Sequence, residues 1–305
     1  MNILEKISLD LKLDLTYVSR IANRSAFYYR RYTIPKKCGG VREIYQPSAE
    51  LKTLQYWVTH NILCQLPIAE EVACAYNKGN SIKKHAEKHQ KSRFLFHTDI
   101  SNFFPSIHLS HLAPILRSNK DIFDKLGLDL EESIKNIGKI CFKSDSLCIG
   151  TVSSPIISNI IMYSFDVHMT EYCKSKNYIY TRYADDIYIS SNHFISADIV
   201  SFVASNLSKN GFLINNSKTK FYSTKYRRKI TGLIITNDGK VSVGLQKRNE
   251  IKKMVYDKLI HNKGDSLIIL GHLAFLNDVD PQAYNDIIIK YSKYCNEDII
   301  KALQS

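Results

Sequence analysis

Seven cysteines occur among the 305 residues, at positions 38, 64, 74, 141, 148, 173 and 295, and none forms a Cys-x-x-Cys pair. That spacing excludes the common zinc and redox motifs, and the odd number argues against a disulfide framework, so reduced thiols and a cytoplasmic location are expected. Long apolar runs are missing too. Met1-Asn-Ile-Leu4 is followed at once by Glu5, Lys6 and Asp10, which predicts no secretory leader, and no uninterrupted apolar stretch approaches membrane-spanning length. No repeat or low-complexity linker interrupts the chain, and no RNP or zinc-knuckle motif is present. Acidic residues are the remaining scarcity: 29 Asp+Glu stand against 42 Lys+Arg, a formal charge of +13. Such an excess suits a polyanionic partner, because neutralised phosphates release condensed counterions. A basic surface also serves solubility, so charge alone does not decide the matter.

What is present decides more. Tyr183-Ala-Asp-Asp186 lies between two β-prone runs, Tyr178–Arg182 and Ile187–Ser190, and reads as a hairpin carrying adjacent carboxylates. Neighbouring carboxylates repel unless a cation sits between them. Asp is also an ordinary turn residue, so the tetrapeptide by itself leaves a plain turn open. A third carboxylate, Asp99, closes the apolar run Arg93–Thr98. Carboxylates from two strands can build the two-metal clamp that phosphoryl transfer requires, with ions about 3.5–4 Å apart; a lone Asp in this position would otherwise cap a turn.

Asp99-Ile-x-x-Phe-Phe104 with Pro105-Ser-Ile107, and later Thr181-Arg-Tyr-Ala-Asp-Asp-Ile187, resemble the catalytic motifs of bacterial reverse transcriptases of the retron and group II intron branch. The segments Ile34-Pro-Lys-Lys-Cys-Gly-Gly-Val-Arg42, Gln46-Pro-Ser48 and Leu51-Lys-x-Leu-Gln-x-Trp57 resemble the start of their fingers. Gly150-Thr-Val-Ser-Ser-Pro-Ile-Ile-Ser-Asn159 and Asn216-Ser-Lys-Thr219 resemble their next motifs, so the likeness runs from about Ala26 to Tyr294. His85-Ala-Glu-Lys-His89 and Ile230-Thr-Gly232 are similar to elements of retron enzymes, with His85 replacing the usual Asn. For the His pair, an exposed helix face is the simpler expectation and a zinc pair a weaker one. Ser154-Pro155 argues against the diversity-generating branch. Cys148-Ile-Gly150 stands where relatives often have Pro-Gln-Gly, so an amide side chain near the nucleotide is lost.

The resemblance implies an α+β right-hand polymerase fold: N-terminal helices and fingers over 1–92, a palm over 93–240 with a helical insertion near 109–143, and a helical thumb over 241–305. It implies that Asp99, Asp185 and Asp186 hold two Mg2+ ions and that dNTPs are the substrates. Lys36, Lys37 and Arg42 would meet the triphosphate, Phe104 would exclude a 2′-hydroxyl, Gly150 would let backbone approach the nucleotide, and Lys218 would protonate the departing pyrophosphate. Core packing is the competing account of Phe104, and a phosphate or turn contact that of Lys218. A structured noncoding RNA would be both template and primer, copied from an internal 2′-hydroxyl into a branched RNA–DNA hybrid (msDNA). A separate effector protein in anti-phage defence is implied as well. Two other readings stay open: a group II intron-like enzyme priming from a 3′-hydroxyl, and a scaffold restraining a toxic effector.

Apolar spacing predicts one or two short N-terminal helices, a helix behind Pro47-Ser48, one buried helix over Ser153–Met169, and one from Ile199 that Gly211 ends. Strands are expected at Phe212–Asn215 and Lys220–Ser223, and a hairpin from Ile230–Ile235 to Val241–Val243 around Asn237-Asp-Gly239. Three helices should follow, one carrying Lys247, Arg248, Lys252, Lys253 and Lys258. Tyr28, Tyr29 and Tyr32 beside Arg30 and Arg31 suit single-stranded template or, more simply, strand packing.

Overall fold

The computed structural model describes every residue except Lys37, Cys38, Asn296, Glu297 and Ser305. In chain order the elements are α1 (Ile3–Leu11), α2 (Leu15–Asn23), β1 (Tyr29–Pro35), β2 (Val41–Pro47), α3 (Ala49–Asn61), α4 (Ile82–His89), β3 (Phe94–Asp99), α5 (Leu109–Ser118), α6 (Asp121–Lys125) and α7 (Leu130–Cys141). Then come α8 (Ser154–Ile161), α9 (Tyr163–Ser175), β4 (Ile179–Tyr183), β5 (Asp186–Ser191), α10 (Asp198–Lys209), β6 (Lys220–Tyr222), β7 (Arg228–Ile230), β8 (Leu233–Ile235) and β9 (Val241–Ser242). Helices α11 (Leu245–His261), α12 (Ser266–Val279), α13 (Pro281–Ser292) and α14 (Ile299–Gln304) close the chain. Strands pair in three sheets, of orders β1-β2, β4-β5-β3-β6 and β7-β8-β9.

The chain divides into two compact units, one of residues 1–78, 97–187 and 196–219, the other of 79–96, 188–195 and 220–305. In the first, α1, α2, α3 and α7 pack together through Ile3, Ile7, Val18, Ile21, Leu51, Leu54 and Ile137, all essentially without exposure. Asn2 starts α1 with a reciprocal capping box to Glu5, and Ser48 caps α3 through the Leu51 N–H. The β1–β2 hairpin is antiparallel, pairing Tyr29 with Pro47 and Pro35 with Val41. Most of β1 is exposed, so strand burial does not account for its aromatic and basic residues, although the Tyr29 hydroxyl accepts a bond from Gln55 Nε2 (3.0 Å).

The second unit packs α4 against the β7-β8-β9 sheet. His85 and His89 are both buried, contrary to the exposed face expected of them. Their rings lie 5.7 Å apart, His85 meets Tyr188 at 5.1 Å, and His89 Nδ1 is 2.7 Å from the Ser190 hydroxyl, which donates to Ser92. Helices α11 to α14 pack through Ile251, Val255, Ile269, Leu273, Leu276, Ile287, Ile299 and Leu303.

Four local expectations change. The predicted helix over Ser153–Met169 is two helices meeting at Met162, whose ψ of 0 lets α8 end there. Phe212–Asn215 is not a strand; only Ile214 pairs, in an isolated bridge to Ile100. Ile230–Ile235 is broken by a two-residue turn, with Thr231 at φ 45 and Gly232 at φ 93, so that β7 and β8 form their own hairpin. The C-terminal segment holds four helices among the described residues rather than three.

Candidate active site

The β4–β5 hairpin turns at Ala184 and Asp185, and Ala184 takes φ 57. A left-handed non-glycine costs roughly 1–2 kcal/mol, so something must hold the turn. Arg182 does so from within: it is fully buried, and its Nη1 donates to the Ala184 carbonyl at 3.0 Å. The guanidinium is anchored on Asp166 by paired bonds, Nε to Oδ1 at 2.8 Å and Nη2 to Oδ2 at 2.6 Å, and Nη2 also reaches Asn159 Oδ1 at 3.2 Å. The Tyr180 hydroxyl donates to the same Asp166 (2.6 Å). From outside, the Ile100 N–H donates to the Asp185 carbonyl (2.9 Å), tying the turn to the end of β3.

Asp99 is thereby brought to the hairpin. A third segment joins them: the Asn215 N–H donates to the Asp99 carbonyl (2.8 Å) and the Ser101 N–H to the Leu213 carbonyl (2.8 Å). The Asp99 carboxylate accepts from Lys218 Nζ (2.6 Å) and Asn215 Nδ2 (3.1 Å), while Asp186 lies 2.8 Å from His97 Nε2. Burial, then the Asp186 and Asp99 charges, push the Asp185 carboxyl up to about 6. Burial alone would lower the Lys218 ammonium; the Asp99 hydrogen bond and the charges of Asp99, Asp185 and Asp186 outweigh it and raise it.

A cavity of about 560 Å³ opens beside these groups, and Lys36, Arg42, Asp99, Phe104, Asp185 and Lys218 line it. Both Phe103 and Phe104 line the cavity; Phe103 is buried against Phe212, whereas Phe104 is half-buried. Cys148 and Ile149 also line the cavity; beside them Gly150 has φ 108, and a Cβ there would come within 2.8 Å of Ile44 Cγ2 and 3.0 Å of the Tyr45 carbonyl. Close approach of β2 therefore accounts for this glycine in the fold itself. Lys37 lies outside the described residues.

Sequence reasoning missed Lys143, which lines the same cavity with its ammonium 4.5 Å from the centre of the Tyr45 ring. It also missed Asp166, Asn159 and the structural part of Arg182. The signal for an ion pair was an Arg inside an otherwise apolar strand, since a buried guanidinium needs a carboxylate.

Asp99, Asp185 and Asp186 form an all-oxygen, anionic donor set of the kind that suits a hard divalent cation, and the mutual repulsion that raises Asp185 is what such a cation relieves. Among the described residues no three His, Cys, Asp or Glu side chains already surround a common metal position; Lys218 and His97 engage the carboxylates instead.

Residues 34–235 match the family of reverse transcriptases (RNA-dependent DNA polymerases). The chain is 32% identical over 299 residues to the retron Ec86 reverse transcriptase of Escherichia coli, covering 96% of this chain and 89% of that protein. This chain belongs to the reverse transcriptase family. It is an RNA-directed DNA polymerase of the retron type, also 30% identical over 294 residues to the Escherichia coli retron Ec83 reverse transcriptase, with 90% of each chain covered. Its fold is that of apo telomerase from Candida tropicalis, with a TM-score of 0.51 at 12% identity over 90% of this reverse transcriptase, which spans 61% of the telomerase chain. The expected α+β right-hand polymerase fold is thus the observed one. No helix of this reverse transcriptase is long and apolar enough, among the described residues, to cross a membrane.

Proposed function

We propose that this enzyme copies a structured noncoding RNA into single-stranded DNA at the Asp99–Asp185–Asp186 site. The observation that carries the reading is the convergence of these carboxylates, from the end of β3 and the β4–β5 turn, beside one cavity lined by Lys36, Arg42 and Lys218. In the reaction a primer hydroxyl attacks the α-phosphorus of a dNTP, a phosphodiester bond forms, and pyrophosphate leaves. Two Mg2+ ions held by Asp99 and Asp185, with Asp186 as auxiliary, would supply activation of the attacking hydroxyl and neutralisation of the triphosphate.

The chain's own residues do the rest. Lys36 and Arg42, with Lys37 by motif position, bind the triphosphate as cations on the cavity wall. Lys218, kept protonated by the surrounding carboxylates, is placed to donate a proton to the departing pyrophosphate. Phe104 closes the sugar end of the cavity and excludes a 2′-hydroxyl. Gly150 keeps the loop before α8 close to β2, so that loop backbone meets the nucleotide. Fingers over 1–92, palm over 93–240 and thumb over 241–305 complete the assignment.

By the retron resemblance, the primer would be a 2′-hydroxyl within the RNA itself, the product a branched msDNA, and the setting a cytoplasmic defence system with a separate effector. Sequencing the RNA–DNA junction separates this from priming at a 3′-hydroxyl. The chemistry is tested by the Asp185→Asn, Asp186→Asn double variant in primer extension on an RNA template with dNTPs and Mg2+. Loss of DNA synthesis is expected; retained synthesis refutes the assignment.

A further inference from the structure

Tyr76 follows three buried residues, Ala73, Cys74 and Ala75, yet keeps 52% of its own surface open. Its backbone is left-handed, with φ 66. That conformation is unfavourable for a bulky side chain and persists only where the surroundings over-determine it. Here they do. The Cys74 N–H donates to the Arg182 carbonyl (2.7 Å), and the Arg182 N–H donates back to the Val72 carbonyl (2.8 Å). Asn159 Nδ2 donates to the Ala75 carbonyl (3.0 Å), and Asn77 Nδ2 to that of Ala73 (2.6 Å). Asn159 is itself fixed by the Arg182 guanidinium, so the group that supports the catalytic turn also clamps the backbone before Tyr76.

The clamp ends at an aromatic contact. The Tyr76 ring meets Phe104 edge to face, with centroids 6.5 Å apart and planes at 67°. Phe104 also packs against buried Phe103, with centroids 5.5 Å apart. Phe104 therefore touches both a ring anchored in the core and one held out by a strained backbone.

We propose that Tyr76 is a positioning residue for sugar discrimination: the clamped, left-handed backbone presents its ring as a brace that fixes Phe104 on the cavity wall. The inference rests on Phe104 being the sugar gate. With the brace removed, Phe104 gains room to turn aside and a 2′-hydroxyl is admitted. Because the contact is aromatic, Tyr76→Phe keeps it. Tyr76→Gly removes it while placing the residue that takes φ 66 without strain, so the backbone conformation is kept.

The test is kcat/KM for a dNTP and for the matching ribonucleotide on an RNA template, measured for wild type, Tyr76→Phe, Tyr76→Gly, Phe104→Ala and the Tyr76→Gly, Phe104→Ala double variant. Tyr76→Gly should lower the preference for dNTP by roughly threefold to tenfold, the range one aromatic pair supplies, with dNTP incorporation itself maintained. Tyr76→Phe should behave as wild type, and the double variant should match Phe104→Ala. If Phe104→Ala relaxes discrimination while Tyr76→Gly does not, or if the two effects multiply, the brace is overturned and the gate stands. If Phe104→Ala changes nothing, the gate fails and the brace with it.

Discussion

Arg182 shows how much a single side chain contributes at the residue scale. It is fully buried, pairs with buried Asp166, and supports the carbonyl of left-handed Ala184 beside Asp185. Removing one partner of such a pair strands the other charge, at a cost of about 3–5 kcal/mol. Arg182→Met should therefore lower the unfolding free energy by that amount, seen as a lower urea midpoint, and adding Asp166→Leu should recover part of it. Urea unfolding of both variants checks this, and wild-type stability of the single variant would contradict it. The pair was not legible in advance, because Asp166 lies on α9 and Arg182 on β4, and only the tertiary fold brings them together. The three acidic residues were legible because Asp99 ends one apolar strand, Asp186 begins another, and Asp185 sits in the turn just before it. Tyr76 belongs to no motif, and nothing in its neighbours' composition announces a positive φ.

At the scale of elements, α4 and its sheet carry a pH-sensitive contact. Burial, then the charges of His85 and Lys88, hold the His89 imidazole well below its usual range. The folded protein keeps His89 neutral, while the unfolded chain takes up a proton below about pH 6.5. Proton binding thus favours the unfolded state as pH falls, so the stability from neutral His89 is present above about pH 6.5 and lost below it. The prediction is a urea midpoint that declines from pH 7 to pH 5.5 in wild type and declines less in His89→Gln; identical slopes would count against it. Elements with a strong local signal were readable, such as α3 behind Ser48 and the turn at Asn237-Asp-Gly239 between β8 and β9. Elements decided by distant partners were not. The segment 212–215 is a short apolar run of strand-forming type but finds one bridge, to Ile100, and Arg248 of basic α11 bonds to Asp280 at 3.0 Å rather than standing free as a cation. The α8–α9 break at Met162 lacks any Pro or Gly to mark it.

For the whole molecule, the excess of 42 Lys+Arg over 29 Asp+Glu makes RNA affinity an electrostatic quantity. Binding should weaken linearly in log Kd against log salt, with roughly 0.7 lost from the slope per single-strand phosphate contact removed. Filter binding of the RNA over a roughly tenfold range of salt measures it; a salt-independent affinity would contradict a backbone-dominated grip. Charge and family motifs made the polymerase reading available before the fold was known, since both are written along the chain. The division into units was not, because each gathers segments far apart in sequence.

The account stands on Asp99 acting with the hairpin carboxylates. Its most direct test is Asp99→Asn, assayed for Mg2+-dependent DNA synthesis and, in parallel, for RNA binding. Synthesis should fall on the order of 10³-fold, the loss of several kcal/mol of transition-state stabilisation, while RNA affinity is retained; synthesis at the wild-type rate would contradict it.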